Sequence, residues 1–245
     1  MASPAHSSAA RGPDGVDVRH GIWTQKQVAR FKPLLFVVCL IPLLRWFWLG
    51  FSGGLGANPP EFLIRSSGIW ALVALMLVLS VTPLRRLLGQ PALVTVRRML
   101  GLYAFFYSLL HTLGWALWEA NLSLSFMVSD VIARTFITLG VLAFVPMTLL
   151  AITSTRGWIR RLGRRWQRLH QSVYAIGILS VWHFWLMRTG KNDLAEPWVY
   201  AALLAALLLF RVVWYFRAAR PSVSPTSVHP GSRRTGPACS ASGKR

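Results

Sequence analysis

Residues 97–118, RRMLGLYAFFYSLLHTLGWALW, decide the fold. After Arg97 and Arg98 the chain runs from Met99 to Trp118 without an Asp, Glu, Lys or Arg, and about 20 apolar residues is the length a helix needs to cross a bilayer core. The costly residue inside the run is His111. Working outward, five further runs of this kind lie at Leu34–Phe51, Phe62–Thr82, Val131–Thr153, Leu169–Met187 and Pro197–Phe216. Six such runs joined by short loops would leave a water-soluble chain almost no polar surface. The expected fold is therefore an all-α integral membrane protein, a six-transmembrane-helix bundle.

Composition agrees. Of 245 residues 54% are apolar and 14% charged, with a mean hydropathy of +0.46, whereas a soluble domain carries roughly a quarter charged residues. The formal net charge of +20 could suggest a nucleic-acid partner, but twelve Trp, thirteen Phe and long Leu/Val runs argue against one. Cys39 and Cys239 cannot form a disulfide framework, a four-ligand metal site or a C-x-x-C-H haem attachment.

The positive charge is segregated. The stretch before the first run carries Arg11, Arg19, Lys26, Arg30 and Lys32, the loop 83–98 carries Arg85, Arg86, Arg97 and Arg98, and the loop 154–168 carries six arginines. The intervening loops are poor in Lys and Arg, so the positive-inside rule predicts that both termini are cytoplasmic and that spans 1, 3 and 5 run outward. Residues 1–30 read as a disordered cytoplasmic leader, 31–216 as the transmembrane domain and 217–245 as a disordered basic tail, because the two ends are rich in Ser, Pro, Gly and Arg. The leader does not read as a cleavable signal peptide, since its apolar stretch starts late and contains Arg45. No internal repeat, nucleotide-binding glycine motif or separate soluble domain stands out.

Histidines carry the candidate chemistry. His6, His20 and His229 lie in the polar ends, while His111, His170 and His183 lie in or beside spans 3 and 5, where an ionisable group is costly. A neutral histidine bonded to a neighbouring helix is the bland alternative for any one of them. Depth distinguishes them. His111 lies about 18 Å into span 3 and His183 about 22 Å beyond Arg168 at a rise of 1.5 Å per residue, so the two reach similar height in the outer half. Opposed imidazoles on adjacent helices of a bundle are an arrangement that holds haem b. His170 lies about 20 Å below His183, turned by about 220° on an ideal helix, so both could face one way only if span 5 bends, for example near Gly177. The position low on span 3 that would oppose His170 holds Arg97, a poor iron ligand. These residues favour one outer haem, with His170 assisting a flavin or quinone, or holding a second haem.

Arg45, Arg65 and Arg134 fall in the outer half of their spans, where they either snorkel to lipid phosphates or neutralise haem propionates. Arg97, Arg98 and the arginines from Arg160 to Arg168 suit topology and anionic lipid, with a flavin phosphate as a secondary ligand. A proton-coupled transporter would place acidic partners at mid-membrane, but all seven Asp and Glu lie outside the apolar runs.

The stretches Arg97-Arg98-Met99-Leu100-Gly101-Leu102 before His111, Thr153-Ser154, and Leu162-Gly163-Arg164-Arg165-Trp166-Gln167-Arg168-Leu169-His170 with Tyr174 and His183 resemble the MsrQ (YedZ) family. These are haem-binding membrane subunits of the bacterial periplasmic methionine sulfoxide reductase system, within the ferric-reductase-like transmembrane group that includes the NADPH oxidases. The likeness spans about residues 30–216. It implies a b-type cytochrome of the inner membrane that takes electrons from the quinone pool or a cytoplasmic flavin reductase and delivers them to MsrP, a periplasmic molybdopterin enzyme that reduces methionine sulfoxide. It also implies haem b and FMN as cofactors and carries over His111, His170 and His183. Unlike the NADPH oxidases, the chain ends soon after span 6 without a dehydrogenase domain. A stand-alone ferric or other metal reductase on the same scaffold is the alternative.

Overall fold

The computed structural model describes residues 25–190 and 194–218, and among these every regular element is helical. In chain order they are α1 (Gln25–Phe51), α2 (Pro59–Leu87), α3 (Val94–Gly114), α4 (Leu124–Ala133), α5 (Thr135–Ile152), α6 (Arg156–Leu162), α7 (Arg164–Gln171), α8 (Val173–Thr189) and α9 (Ala195–Ala218). A short 3₁₀ turn, Pro91–Leu93, precedes α3, and a π-helical turn, Trp115–Glu119, extends it. Of the stretches expected to be leader and tail, 25–30 belong to α1 and 217–218 to α9, and the remainder lies outside the described residues.

Among the described residues five helices are long and apolar enough to cross a membrane: α1, α2, α3 with its flanking turns, α5 and α9. The fifth run expected from the sequence, Leu169–Met187, is not one helix. Ser172 divides it into α7 and α8, and α8, with 17 residues, sits at the short end of the spanning range. The break in this run falls at Ser172, and Gly177 lies within α8. The fourth run also divides, because Arg134 is extended (φ −114°, ψ 103°) and separates α4 from α5. The basic stretch expected as a loop, 154–168, folds into α6 and most of α7. Thr155 caps α6, and Gly163 turns the chain with φ +49°, a value that favours glycine.

Two helix hairpins form the centre: α2 packs on α3, and α5 on α8. Between them sit Leu75, Leu79, Ala104, Met147, Ile176 and Phe184, all buried. Gly177 lets α8 approach its neighbours, since a Cβ there would lie 3.3 Å from both Leu79 Cδ1 of α2 and Leu204 Cδ1 of α9. Helix α1 leans on the first hairpin through polar tips: Tyr103 Oη donates to Phe36 O (3.0 Å), Tyr107 Oη to Cys39 O (2.5 Å) and Trp46 Nε1 to Ser66 Oγ (2.9 Å). Outward-facing Leu34, Phe47, Trp48, Leu142, Trp182 and Leu209 are exposed, as expected of side chains that meet acyl chains and not water.

Charge divides the bundle end to end. Among the described residues Glu61, Glu119, Asp130 and Glu196 all lie at one end, whereas Arg85, Arg86, Arg97, Arg98 and the arginines of α6 and α7 lie at the other. These are called here the acidic end and the basic end.

Overfilling the α8 contact should be costly. Gly177→Leu is expected to destabilise the detergent-extracted protein by about 1–3 kcal/mol, read as a lowered thermal midpoint. Gly101→Leu, where a new Cβ meets nothing within 4 Å, should leave that midpoint nearly unchanged.

Candidate functional site

Helices α2, α3, α5 and α8 enclose a cavity of about 400 Å³ that opens toward the acidic end. Its walls are apolar, with Ile69, Leu72, Leu75, Phe136, Phe144 and Met147 among them. His111 of α3 and His183 of α8 both line it, with ring centroids 6.0 Å apart and ring planes 79° apart. The height match read from the sequence thus becomes a direct contact.

Each ring is held in the same way. His111 Nδ1 lies 2.8 Å from Ile64 O of α2, and His183 Nδ1 lies 2.5 Å from Phe136 O of α5. A carbonyl oxygen only accepts, so both Nδ1 atoms carry the proton and both Nε2 atoms are left as lone-pair nitrogens. One turn beyond each carbonyl the partner helix presents a glycine. A Cβ on Gly68 would sit 3.0 Å from His111 Nδ1 and 3.1 Å from its Cε1, and a Cβ on Gly140 would sit 3.1 Å and 3.2 Å from the same atoms of His183. The two glycines make room for the imidazoles against the helix backbone.

This duplication runs through the whole cavity. Histidine and carbonyl are separated by 47 residues in both hairpins. A shift of 72 converts lining positions 64, 68, 71, 72, 75, 108 and 111 into 136, 140, 143, 144, 147, 180 and 183, which also line it. The site is built from two copies of one hairpin, a repeat the sequence reading missed. Its signal is present but sparse: Ser108-x-x-His111 and Ser180-x-x-His183, each with a glycine 43 residues before the histidine.

At the mouth stand Arg65, Arg134 and Arg188 with Asn58, Glu61 and Glu119. Arg65 pairs with Glu61 at 2.5 Å, and Arg188 with Glu196. Asp130, which lies just outside an apolar run in the sequence, is buried on α4. Its Oδ1 takes Arg134 Nε at 2.7 Å while its Oδ2 accepts from Trp115 Nε1 at 3.2 Å. Trp115 opens the π turn that follows His111, so Asp130 ties the mouth arginine to the histidine helix.

The other expected site residues stand elsewhere. Arg45 is exposed on α1, and neither it nor Arg97 lines the cavity. His170 lies on α7 at the basic end, its ring stacked on Trp166 at 3.9 Å and its Nδ1 donating to Trp166 O at 3.1 Å. Its Nε2 is buried and makes no hydrogen bond of ordinary length, while the Leu150 carbonyl of α5 also acts on the ring. Desolvation pulls the His170 pKa below the usual histidine value, and the positive charge of Arg97 acts in the same direction. Arg188, in the last turn of α8, also stands at the mouth and was not among the expected site residues.

Two neutral imidazoles are too few to hold a bare ion, and among the described residues no three His, Cys, Asp or Glu side chains gather as a metal site. They do suit an ion whose remaining ligands come from a macrocycle. Two metal–nitrogen bonds of about 2.0 Å, extended to each ring centre, span about 6.3 Å, close to the observed 6.0 Å. Haem b therefore fits the pair, the apolar walls and the cationic mouth.

Comparison with known proteins agrees. Residues 67–181 match the model of the ferric reductase like transmembrane component. The chain is 56% identical over 194 residues to the protein-methionine-sulfoxide reductase heme-binding subunit MsrQ of Bordetella pertussis, covering 79% of this chain and 94% of the relative. It is 49% identical over 196 residues to MsrQ of Ralstonia nicotianae (80% and 90% covered) and 41% identical over 213 residues to MsrQ of Xanthomonas euvesicatoria (84% and 96% covered). No solved structure matches. With its duplicated histidine hairpin and this degree of identity over most of its length, the chain belongs to the MsrQ family.

Proposed function

We propose that this protein is a haem b-containing electron-transfer subunit of a methionine sulfoxide reductase system, in which His111 and His183 would hold the haem. The observation that carries the reading is the pair of imidazoles with both Nδ1 atoms bound to backbone carbonyls. Each carbonyl fixes its ring's tautomer and orientation and strengthens the Nε2 donor, the outer-sphere arrangement expected of metal-binding histidines. When bound, haem b supplies a one-electron carrier cycling between ferric and ferrous iron. Arg65 and Arg134 of the sequence reading, now joined by Arg188, would meet the propionates at the mouth. The apolar walls exclude water and lower the local dielectric around the charge that moves.

In the fuller proposal α8 is the sixth span. Both termini lie on the cytoplasmic side of a bacterial inner membrane, because the basic end would face inward. Electrons would enter from the quinone pool or a cytoplasmic flavin reductase and leave at the acidic end for a periplasmic molybdopterin reductase, MsrP. FMN, if held, would belong at the basic end with His170, which stands apart from the histidine pair. The relatives' names favour a sulfoxide reductase system over a stand-alone ferric reductase.

Three outcomes test this. His111→Ala and His183→Ala should each abolish the haem absorbance of the purified protein, while His170→Ala keeps it; haem retained at full occupancy in either of the first two defeats the assignment. Gly68→Val or Gly140→Val, which touch no metal, should weaken haem retention about 10–100-fold by displacing the rings, measured as haem per chain. Asp130→Asn should leave haem bound but shift its midpoint potential, since Arg134 loses the carboxylate that orients it, and Asp130→Glu should restore much of the shift.

A further inference from the structure

Helix α4 joins two spanning segments and is itself too short to span. Its ten residues rise about 15 Å, half the thickness of a hydrocarbon core. The segment Pro91–Glu119 ends at the acidic end and α5 starts there at Thr135, so the connection that holds α4 lies at the level of the bilayer surface. The helix is set off at both ends. Asn121 and Leu122 take left-handed backbone (φ +48° and +56°), rare for a leucine, and Arg134 is extended, so α4 continues neither α3 nor α5. Thr138 Oγ1 of α5 donates to Val131 O and fastens the end of α4 to its neighbour.

At about 100° per residue the positions of α4 sort into distinct faces. Met127, Asp130 and Val131 face the protein: Asp130 is buried against Arg134 and Trp115, and the other two are half-buried. Beside them Leu124, Val128 and Ile132, four residues apart, form an apolar stripe about 80° wide. These three are 74%, 52% and 79% exposed, so no described part of the chain covers them. Further round the helix come Ser125, Ser129 and Ala133, all exposed, and then Phe126. The stripe is not isolated. Leu117, Trp118 and Leu122, just before α4, are also exposed, and Trp is favoured where a bilayer meets water. Asp130 is the only charged residue on α4, and it is turned inward.

We infer that α4 is an interfacial helix seated in the bilayer surface, with Leu124, Val128 and Ile132 among the outermost acyl carbons and Ser129 and Ala133 toward water. A helix with one apolar face, lying between two spans at headgroup level, gains by burying that face in lipid. Its outward faces carry no Lys or Arg to attract an anionic headgroup, so the lipid surface holds it by apolar burial and not by charge. The stripe runs on from lipid-facing residues of the preceding span, which favours lipid over a protein partner as its occupant. Seated in this way, α4 presents Asp130 to Arg134 and Trp115, and the bilayer itself helps to hold one side of the cavity mouth. The seating does not rest on the haem reading.

The test uses the full-length protein, with Cys39→Ala and Cys239→Ala, in nanodiscs of phosphatidylcholine without anionic lipid. Leu124→Cys, Val128→Cys, Ser129→Cys, Ile132→Cys and Ala133→Cys are made one at a time and labelled with bimane. Each label is then quenched by iodide from water and by doxyl-labelled phosphatidylcholine from the bilayer. Labels at 124, 128 and 132 should lose fluorescence to the doxyl lipid and be shielded from iodide, and those at 129 and 133 should do the reverse. Iodide reaching all five would show a stripe open to water and to a protein partner. Doxyl lipid reaching all five would put α4 inside the membrane, and a stripe shielded from both quenchers would point to a second copy of the chain; each of these overturns the proposal. In the Leu124→Cys protein, Val128→Asp should hand the label from the doxyl lipid to iodide, whereas Ser129→Asp, the same charge one residue on, should not. A label unmoved by Val128→Asp also overturns the seating, and if that variant fails to fold the cysteine series decides alone.

Discussion

The site depends on one interaction made twice: an imidazole N–H given to a backbone carbonyl of the neighbouring helix. Within a bilayer a histidine without a partner is costly, and a free ring could present either nitrogen to its surroundings. Ile64 O and Phe136 O remove that choice. The carbonyls are available because Gly68 and Gly140 let each ring lie close against the backbone of the partner helix, so the spacing of the two hairpins and the tautomer of the two histidines are set together. Tight α2–α3 and α5–α8 packing is thus a condition of the chemistry and not only of stability.

Much of this was legible in the sequence. The apolar runs, their alternating loop charge and the common height of His111 and His183 all follow from counting residues against a 1.5 Å rise. The boundaries that failed were those where periodicity carries no information. Arg134 breaks one apolar run and Ser172 another, and in both cases the residues on either side are still apolar or helix-compatible. The basic stretch 154–168 looked like a loop because α6 and α7 have no buried residues and their polarity hides their helicity.

The candidate site was half legible. Arg65 and Arg134 reach the cavity mouth as expected, but Arg45 faces outward from α1, and depth alone does not say on which side of a helix a residue lies. Arg188 was passed over because it follows the last apolar residues of its run, although the end of a helix beside a cavity is where a long side chain can turn back over the mouth. The hairpin repeat escaped notice because its matches are scattered: Gly68 and Gly140, Ala71 and Ala143, Ser108 and Ser180, and His111 and His183 agree, but Ile64 answers to Phe136, Leu72 to Phe144 and Leu75 to Met147. Only geometry shows that they occupy equivalent places.

The account's central claim is tested most directly by the electron paramagnetic resonance spectrum of the ferric protein. If His111 and His183 both hold the iron, imidazole planes that stand 79° apart should give a highly anisotropic low-spin signal. A high-spin signal would show that the histidines do not both bind iron, and a rhombic low-spin signal of parallel rings would contradict the orientations set by the two backbone carbonyls.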